Sequence, residues 1–302
     1  MIFRFLIIAL CLSTTPLLAQ KRLVKKWLSL EKSFLHYFSD MQDYPKAAAY
    51  MDEIWELTTR KFPKEDSLFA AAVATKSILS FEQDQYDHCI TFLRPWLKWL
   101  RTRTDAGEAL TKRHYNWLLY AGNAYVMLGE SYMFDKNIPT IPSFVPKDME
   151  DRFHRALVSF DTAILLYKEL AVLRPEHPDL NNNLSVTYRN KGRALGQYLG
   201  DLEGCIGALK ESINYKADLE NYRLLGVAYG VSGQHFKAIE SFEKALALDT
   251  YNAAILYNLE VAFQQLSSMT ENEVLKSEYL SKADSYHMQW KLIDPDYDPS
   301  QN

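Results

Sequence analysis

The sequence predicts an all-α protein built from consecutive helical hairpins, and two observations indicate this. Within residues 219–252, Gly226 and Ala238 have little or no side chain, so that two antiparallel helices can approach closely. Tyr229 and Phe242 are placed to fill the space between those helices. The chain has 302 residues, 48% of them hydrophobic, which is long for one compact core. A stack of hairpins removes this difficulty because each hairpin buries its face against its neighbours.

The intervals within residues 219–252 match a known repeat unit. A Trp-x2-Leu-Gly-x2-Tyr pattern is followed at Tyr222, Leu225, Gly226 and Tyr229, then at Gly233, Ala238, Phe242 and Ala245, and the final position, usually Pro, is Thr250. The segment therefore resembles a tetratricopeptide repeat. The resemblance implies a right-handed α-solenoid of about six such hairpins, which binds partners and catalyses nothing by itself.

The N-terminal segment predicts export from the cytoplasm. Residues 1–19 contain one Arg, a short apolar run and a small Ala19 before Gln20, which is typical of a signal peptide. We therefore expect a protein of the bacterial periplasm or cell envelope. The basic residues that follow keep an uncleaved membrane anchor as the alternative, although the apolar run is shorter than the roughly 20 residues of a membrane helix.

Residues 20–302 are predicted to form a single repeat domain, and its first two repeats are recognised by their second helices. In repeat 28–61 the helical spacing is carried by Tyr44, Ala47, Met51 and Ile54. In repeat 70–103 it is carried by Tyr86, Cys89, Leu93 and Trp96. Their first helices match the pattern less well but keep apolar periodicity.

The third repeat, 115–168, contains an insertion at 130–150. Gly129 ends its first helix and Ala156 belongs to its second, and the residues between them include three prolines, which exclude a regular helix. Three apolar residues of the insertion, Ile141, Phe144 and Val145, are unusual for a solvated linker. They are expected either to fill the groove of the protein or to contact a partner.

The last three repeats are 185–218, 219–252 and 253–296. The first of these has one extra residue between Gly192 and Gly200 when it is compared with repeat 219–252. The last contains an insertion of about 11 residues before its second helix and would cap the array.

Two cysteines remain after the leader, and the repeat pattern predicts that they are free. Cys89 and Cys205 both occupy the position of Ala238, inside separate hairpins. Such positions cannot approach within the roughly 7 Å between Cα atoms that a disulfide requires. Both thiols are expected to be buried.

Charge and motifs argue against several classes of function. The net charge is -4, from 34 basic and 38 acidic residues, which does not favour nucleic-acid binding. The sequence has no HExxH, CxxC, phosphate-binding loop or GxSxG motif, and its seven histidines are scattered over different repeats. We therefore predict no enzyme, no cofactor and no metal.

The candidate binding surface is the face formed by the first helices. Arg189, Arg193 and Arg223 are expected there and could bind a carboxylate, a phosphate or an acidic peptide, or remain solvated. Some tetratricopeptide proteins clamp a peptide carboxylate; Asn123 and Asn190 match two of those places, but Leu119, Glu220 and Leu224 occupy others. The predicted partner-binding residues are Asn116, Asn123, Arg189, Asn190, Arg193, Arg223 and Tyr257.

These expectations favour a scaffold or adaptor of the bacterial cell envelope that binds a protein or peptide segment in its concave groove. The rival is an envelope protein that binds a glycan or a small anion, with the 130–150 loop as a lid. Membrane contact is expected only through an uncleaved leader.

Overall fold

The structure is a computed structural model that describes residues 18–62, 67–105, 112–133 and 147–297. Most of the predicted signal peptide, residues 1–17, lies outside the described residues. So do Ile141, Phe144 and Val145 of the predicted insertion.

Within the described ranges the chain is helical throughout, and successive helices pack in pairs, which confirms the prediction of an all-α protein made of helical hairpins. None of the helices in these ranges is long and apolar enough to cross a bilayer. The helices are α1 (Leu18–Leu35), α2 (Tyr44–Lys61), α3 (Ser67–Glu82), α4 (Tyr86–Asp105), α5 (Lys112–Met133), α6 (Lys147–Leu173), α7 (Leu180–Arg193), α8 (Leu202–Tyr215), α9 (Leu219–Val231), α10 (His235–Leu248), α11 (Ala253–Met269) and α12 (Glu273–Ile293).

The chain divides into two compact units, with the boundary inside α5 between Met127 and Leu128. The first unit has a core around Trp27, which is fully buried. The indole Nε1 of Trp27 donates to Oγ1 of Thr58 at 2.8 Å, and that hydroxyl donates in turn to the carbonyl oxygen of Ile54 at 2.6 Å. This relay satisfies both buried polar groups and holds α1 against α2.

In the second unit, glycines allow close contact between paired helices, as the sequence predicts for Gly226 but not for Gly129, which it places at the end of the first helix. Gly226 of α9 faces the ring of Phe242 on α10 so closely that a Cβ there would lie 2.5 Å from Cε1. Gly129 of α5 has the same relation to Phe160 of α6, again at 2.5 Å. The same kind of glycine–phenylalanine contact therefore joins the two helices in each of two hairpins.

In the described ranges, four hairpin turns contain a residue in the left-handed region, each of them two positions before the second helix. Gly200 and Gly233 have φ values of 69° and 75°, which a glycine adopts at little cost. Gln42 and Asp84 occupy the same place with φ values of 53° and 59°. A side chain at this position introduces strain, least for Asp and more for Gln.

Two first helices end in a π-helical turn, namely α1 at His36–Asp40 and α7 at Ala194–Tyr198. The second of these accommodates the extra residue that the sequence shows between Gly192 and Gly200. It keeps Gly196 against Cys205, where an added Cβ would lie 2.7 Å from Sγ. The additional residue is thus taken up inside the helix end, as π turns commonly do.

Both cysteines in the described residues are free and buried, as predicted. Burial raises the pKa of the Cys89 thiol to about 12. It also raises the pKa of Cys205 to about 11, with a further contribution from the nearby charge of Asp201. These thiols therefore remain protonated and pack as small apolar groups.

Candidate functional site

The second unit carries four of the predicted binding residues on its first helices: Arg189 and Arg193 on α7, Arg223 on α9 and Tyr257 on α11. We call the surface that these four residues share the first-helix face. Each of the four is only partly exposed. The question at each position is which neighbours inside the protein already hold the side chain.

Arg189 reaches from α7 to the start of α9. Its Nη1 donates to Oδ1 of Asn221 at 3.4 Å and lies 3.7 Å from Oδ2 of Asp218. Asn221 is fully buried and is fixed by its own amide, which donates to Oγ of Ser185 at 2.9 Å and to the carbonyl oxygen of Lys216 at 2.8 Å. The arginine is therefore oriented by a rigid acceptor through contacts that are long for hydrogen bonds.

Asn190 points away from the solvent. It is 5% exposed, and its Nδ2 donates to Oε1 of Glu130 at 2.6 Å. Burial raises the pKa of Glu130, while the hydrogen bond from Asn190 and the charges of Arg193 and Arg189 oppose that rise. Asn190, which corresponds to one residue of a carboxylate clamp, therefore already forms a hydrogen bond with a carboxylate of this chain.

Arg223 makes the strongest ion pair on the first-helix face. Its Nε and Nη2 donate to the two carboxylate oxygens of Glu220, both at 2.8 Å. This bidentate pair raises the pKa of Arg223, and burial opposes that effect. The pair spans one helical turn of α9, so it is formed within one element.

Tyr257 belongs to an aromatic group at the C-terminal end of the unit. Its ring meets that of Trp290 edge-on, with centroids 5.9 Å apart. The indole Nε1 of Trp290 donates to Oε2 of the buried Glu260 at 2.6 Å, and Nδ1 of His287 lies 3.1 Å from the other oxygen of that carboxylate. Glu260 thereby fixes Trp290 in one orientation.

Asn123 and Asn116, two further predicted binding residues, belong to the first unit. Asn123 is partly buried. Asn116 lies within α5, but its side chain falls outside the described residues.

Reasoning from the sequence placed the arginines but missed their acidic partners. Glu220 precedes Arg223 by three residues on one helix, so the spacing of the sequence could have indicated that pair. Glu130 and Asp218 come from other elements, and no local pattern points to them. The ring contacts of Tyr257 were missed for the same reason.

The first-helix face combines arginine side chains with an aromatic ring. In the described ranges, no three side chains of His, Cys, Asp or Glu are grouped as metal ligands would be. The charged groups of the face are held in ion pairs and hydrogen bonds, several of them between helices. These contacts limit the orientations that the guanidinium groups can adopt.

Comparison with known proteins gives a fold likeness only. No family model matches the chain, and no curated protein is similar enough to count as a relative. Among solved structures, MamA from Desulfovibrio magneticus RS-1 shares 16% identity, with 76% of this chain and 97% of that chain covered and a TM-score of 0.42.

Two further structures show a similar level of likeness. BtubC from P. vanneervenii shares 16% identity over 92% of this chain and 94% of that chain, with a TM-score of 0.43. A thermophilic TPR protein in Thermus thermophilus shares 13% identity over 87% of this chain and 98% of that chain, with a TM-score of 0.31. Sequence identities and TM-scores at this level support no conclusion about function.

The hairpins themselves identify the fold type. Gly226 packs under Phe242, the turn residue Gly233 is left-handed, and Ala238 is fully buried in the following helix. These are the positions at which a tetratricopeptide hairpin needs a small residue, a turn and a close contact. The fold is therefore an all-α repeat of the tetratricopeptide type.

Proposed function

We propose that the chain is a non-enzymatic protein-binding scaffold and that a segment of its partner lies along the first-helix face. The observation that supports this most directly is the state of Arg189 and Arg223. Both are oriented by acceptors of this chain, and both keep part of their surface accessible, at 22% and 27% of the side chain. An oriented, half-buried arginine is well suited to bind an incoming acceptor.

The donor capacity of these arginines supports the proposal. A guanidinium group has five N–H donors, and the pair with Glu220 uses only the edge of Arg223 that carries Nε and Nη2. Arg189 contacts its acceptors at 3.4 and 3.7 Å, so a shorter contact from a partner can replace them. Carboxylates or backbone carbonyls of a partner segment are the expected acceptors.

The internal acids also set a requirement for the partner. Asp218 and Glu220 already neutralise part of the positive charge, so a simple anion gains little from this face. A partner must add shape and aromatic contacts to compete with them. A peptide or protein segment satisfies this requirement better than a small anion does.

The proposal is tested by capture of partners from a cell-envelope extract with the full chain and with the triple variant Arg189→Ala, Arg193→Ala, Arg223→Ala. We expect the variant to retain its helicity and to lose most of the captured protein, because the oriented donors are gone. Loss of salt dependence in any residual capture should accompany this.

A matched control removes three basic residues from exposed ion pairs on the second helices. Arg60, Lys244 and Lys282 pair with Glu56, Glu240 and Glu278 at 2.7, 2.7 and 3.0 Å. Their triple replacement by Ala changes the net charge equally and should leave capture intact. Equal capture by the arginine variant and by this control would contradict the proposal.

We further propose that the protein works in the bacterial cell envelope, because residues 1–19 have the composition of a signal peptide. The mature N-terminus decides this point. Mass spectrometry of the protein from a periplasmic fraction should find a chain that begins at Gln20. A chain that retains Met1 and fractionates with the membrane would support the uncleaved anchor instead.

A further inference from the structure

The C-terminal segment of the described chain turns back onto the first-helix face. Helix α12 ends at Ile293, and the backbone N–H of Tyr297 donates to the carbonyl oxygen of Asp294 at 3.2 Å. Pro295 stands at the second position of this four-residue turn, where its fixed φ favours the turn and prevents the helix from continuing. The turn therefore directs Tyr297 back toward the helices.

Tyr297 completes a cluster of three rings. Its centroid lies 6.1 Å from that of Tyr257 and 5.9 Å from that of Trp290, and those two rings are themselves 5.9 Å apart. The interplanar angles are 60°, 73° and 86°, so the rings meet edge to face or tilted, as favourable aromatic pairs do. We call Tyr257, Trp290 and Tyr297 the aromatic triangle.

Two corners of the triangle belong to the helices, and Trp290 has partners other than Tyr297. Trp290 is 4% exposed, and its Nε1 is held by Glu260 at 2.6 Å. Lys291 lies over the same indole, with Nζ 4.4 Å from the ring centroid. Tyr257 and Trp290 thus form a preorganised platform, whereas Tyr297 comes from a short segment beyond the last helix.

The charge around the platform matches the segment that occupies it. Arg223 lies near Tyr297, whose phenol contributes to raising the pKa of that arginine after the larger effect of Glu220. Nζ of Lys291 reaches the carbonyl oxygen of Pro295 at 3.4 Å. The described part of the segment supplies Asp294 and Asp296 before its tyrosine, and Asp298 follows in the sequence. A tyrosine preceded by two aspartates therefore meets an aromatic platform beside Arg223, which is paired with Glu220, and Lys291, which lies over Trp290.

The geometry points to a peptide-binding site at Arg223, Tyr257 and Trp290 that takes a tyrosine flanked by acidic residues, with the chain's own Tyr297 as its internal competitor. This inference rests on the proposed protein-binding function and specifies the chemistry of the partner segment. The site reads an aromatic ring by edge-to-face contact and the neighbouring carboxylates by charge. A partner segment of this kind must displace Tyr297 before it can bind.

The competition has an expected size. A segment tethered by a few residues acts at an effective concentration in the millimolar range. A free peptide that binds the open platform with a dissociation constant of about 100 μM would then bind the wild-type chain about tenfold more weakly or worse. Removing the ring of Tyr297 should abolish this difference.

The test uses the full chain with Tyr297→Ala and a fluorescent, N-acetylated peptide with the sequence of residues 294–302, DPDYDPSQN. We expect saturable binding to Tyr297→Ala and binding at least about tenfold weaker to the wild type. The same peptide with Tyr replaced by Ala, or with all three Asp replaced by Asn, should bind at least about tenfold more weakly than the parent peptide. No saturable binding to Tyr297→Ala up to about 1 mM, or equal binding to both proteins, overturns the inference.

Two double variants locate the peptide. Tyr297→Ala with Tyr257→Leu should lose binding, because the platform loses one ring while keeping its apolar volume. Tyr297→Ala with Tyr251→Leu is the control, since Tyr251 is 77% exposed and lies outside the triangle. Equal binding by both double variants overturns the assigned site.

Stability separates competition from a purely structural role. Tyr297→Ala should shift the melting temperature by less than about 4 °C, the effect of one or two ring contacts. A larger loss means that Tyr297 serves to hold the last hairpin together and overturns the inference. If the peptide does not bind but the triple arginine variant still captures less protein, the inference about a tyrosine-containing segment is wrong and the scaffold proposal stands. If the peptide binds but the triple arginine variant captures as much protein as its control, the scaffold proposal is wrong and the peptide site stands.

Discussion

The hairpins α7–α8 and α9–α10 have nearly the same length and the same kind of close contact, yet their first helices end differently. In α9–α10 the first helix stays regular to its end at Val231, and Gly226 packs against Phe242. In α7–α8 the first helix ends in a π turn, and Gly192, at the position of Gly226, packs against Leu209. The packing position is preserved although the chain lengths between the glycines differ, so the constraint acts on the contact and not on the spacing.

The strongest test of this comparison is the glycine under Phe242. Gly226→Ala places a Cβ 2.5 Å from the ring and should lower the free energy of unfolding by about 2 kcal/mol, because the ring cannot move without opening the core. Gly230→Ala is the control, since its Cβ would lie 3.9 Å from that of Ala238, an ordinary contact. It should leave stability unchanged or raise it by up to about 1 kcal/mol through helix propensity.

Urea unfolding of both variants measures the difference. Equal stability of the two variants would mean that the ring of Phe242 can move to admit a Cβ at position 226 at little cost in free energy. Phe242→Leu in the Gly226→Ala background should restore part of the loss by removing the obstructing ring edge.

A deletion in the π turn is the next largest effect. Removing Gln197 should convert the end of α7 to regular helix and cost about 1.5 kcal/mol, chiefly because Tyr198 leaves its stacked position on Phe153, where the centroids are 4.1 Å apart. Removing Val227 from the regular helix α9 should cost clearly more, since every later residue of that helix rotates by about 100°. Urea unfolding measures the loss in the free energy of unfolding for both deletion variants. Equal losses would show that the π turn does not accommodate the extra residue.

These two hairpins also show how far the sequence predicts the fold. The contact of Gly226 follows from the repeat intervals, because close helix packing requires small residues at fixed places. For Gly129 the prediction was wrong: the intervals align it with the turn residue Gly233, whereas it lies inside α5 and packs against Phe160. The extra residue before Gly200 is visible in the sequence, but its placement is not. A longer turn and a π turn would each accommodate one extra residue. Only tertiary packing around Cys205 and Phe153 decides between them.

The candidate site likewise has features that the sequence predicts and features that it does not. Helical periodicity places Arg189, Arg223 and Tyr257 on first helices, because that position depends on local geometry. The partly buried carboxylate of Glu130 and the turned-back Tyr297 depend on contacts between distant elements, which no single-sequence pattern contains. The sequence therefore predicts which helices carry these residues but not which neighbours hold their side chains.

Helix caps provide a smaller test of the same pair of hairpins. Asp201 caps α8, its carboxylate accepting from the N–H of Gly204 at 2.9 Å, whereas Gln234 at the same place before α10 makes no such bond. Asp201→Ala should cost about 1 kcal/mol, and Gln234→Asp should gain about 0.5 kcal/mol by adding the missing cap. Thermal unfolding of the two variants measures both; a loss on Gln234→Asp would show that its backbone cannot accept the cap.

The smallest expected effect concerns the left-handed turn residue and extends the comparison to the first unit. Gln42→Gly should raise stability by about 0.5 kcal/mol, because it relieves a positive φ of 53° at a place where Gly200 and Gly233 have no side chain. Gly233→Ala should lower stability by about 1 kcal/mol for the converse reason. Melting curves of both variants test the pair, and a loss on Gln42→Gly would mean that the Gln side chain contributes more than its backbone costs.

The π turn at the end of α7 has a consequence for how such a chain can change over generations. A residue gained inside a helix would normally turn the rest of that helix away from its neighbour, and selection would remove it. Here the gain is confined to five residues next to the hairpin turn, and the glycine that meets Cys205 keeps its place. Single-residue insertions can therefore persist at these helix ends, so that related chains would differ in repeat length while their helices still match.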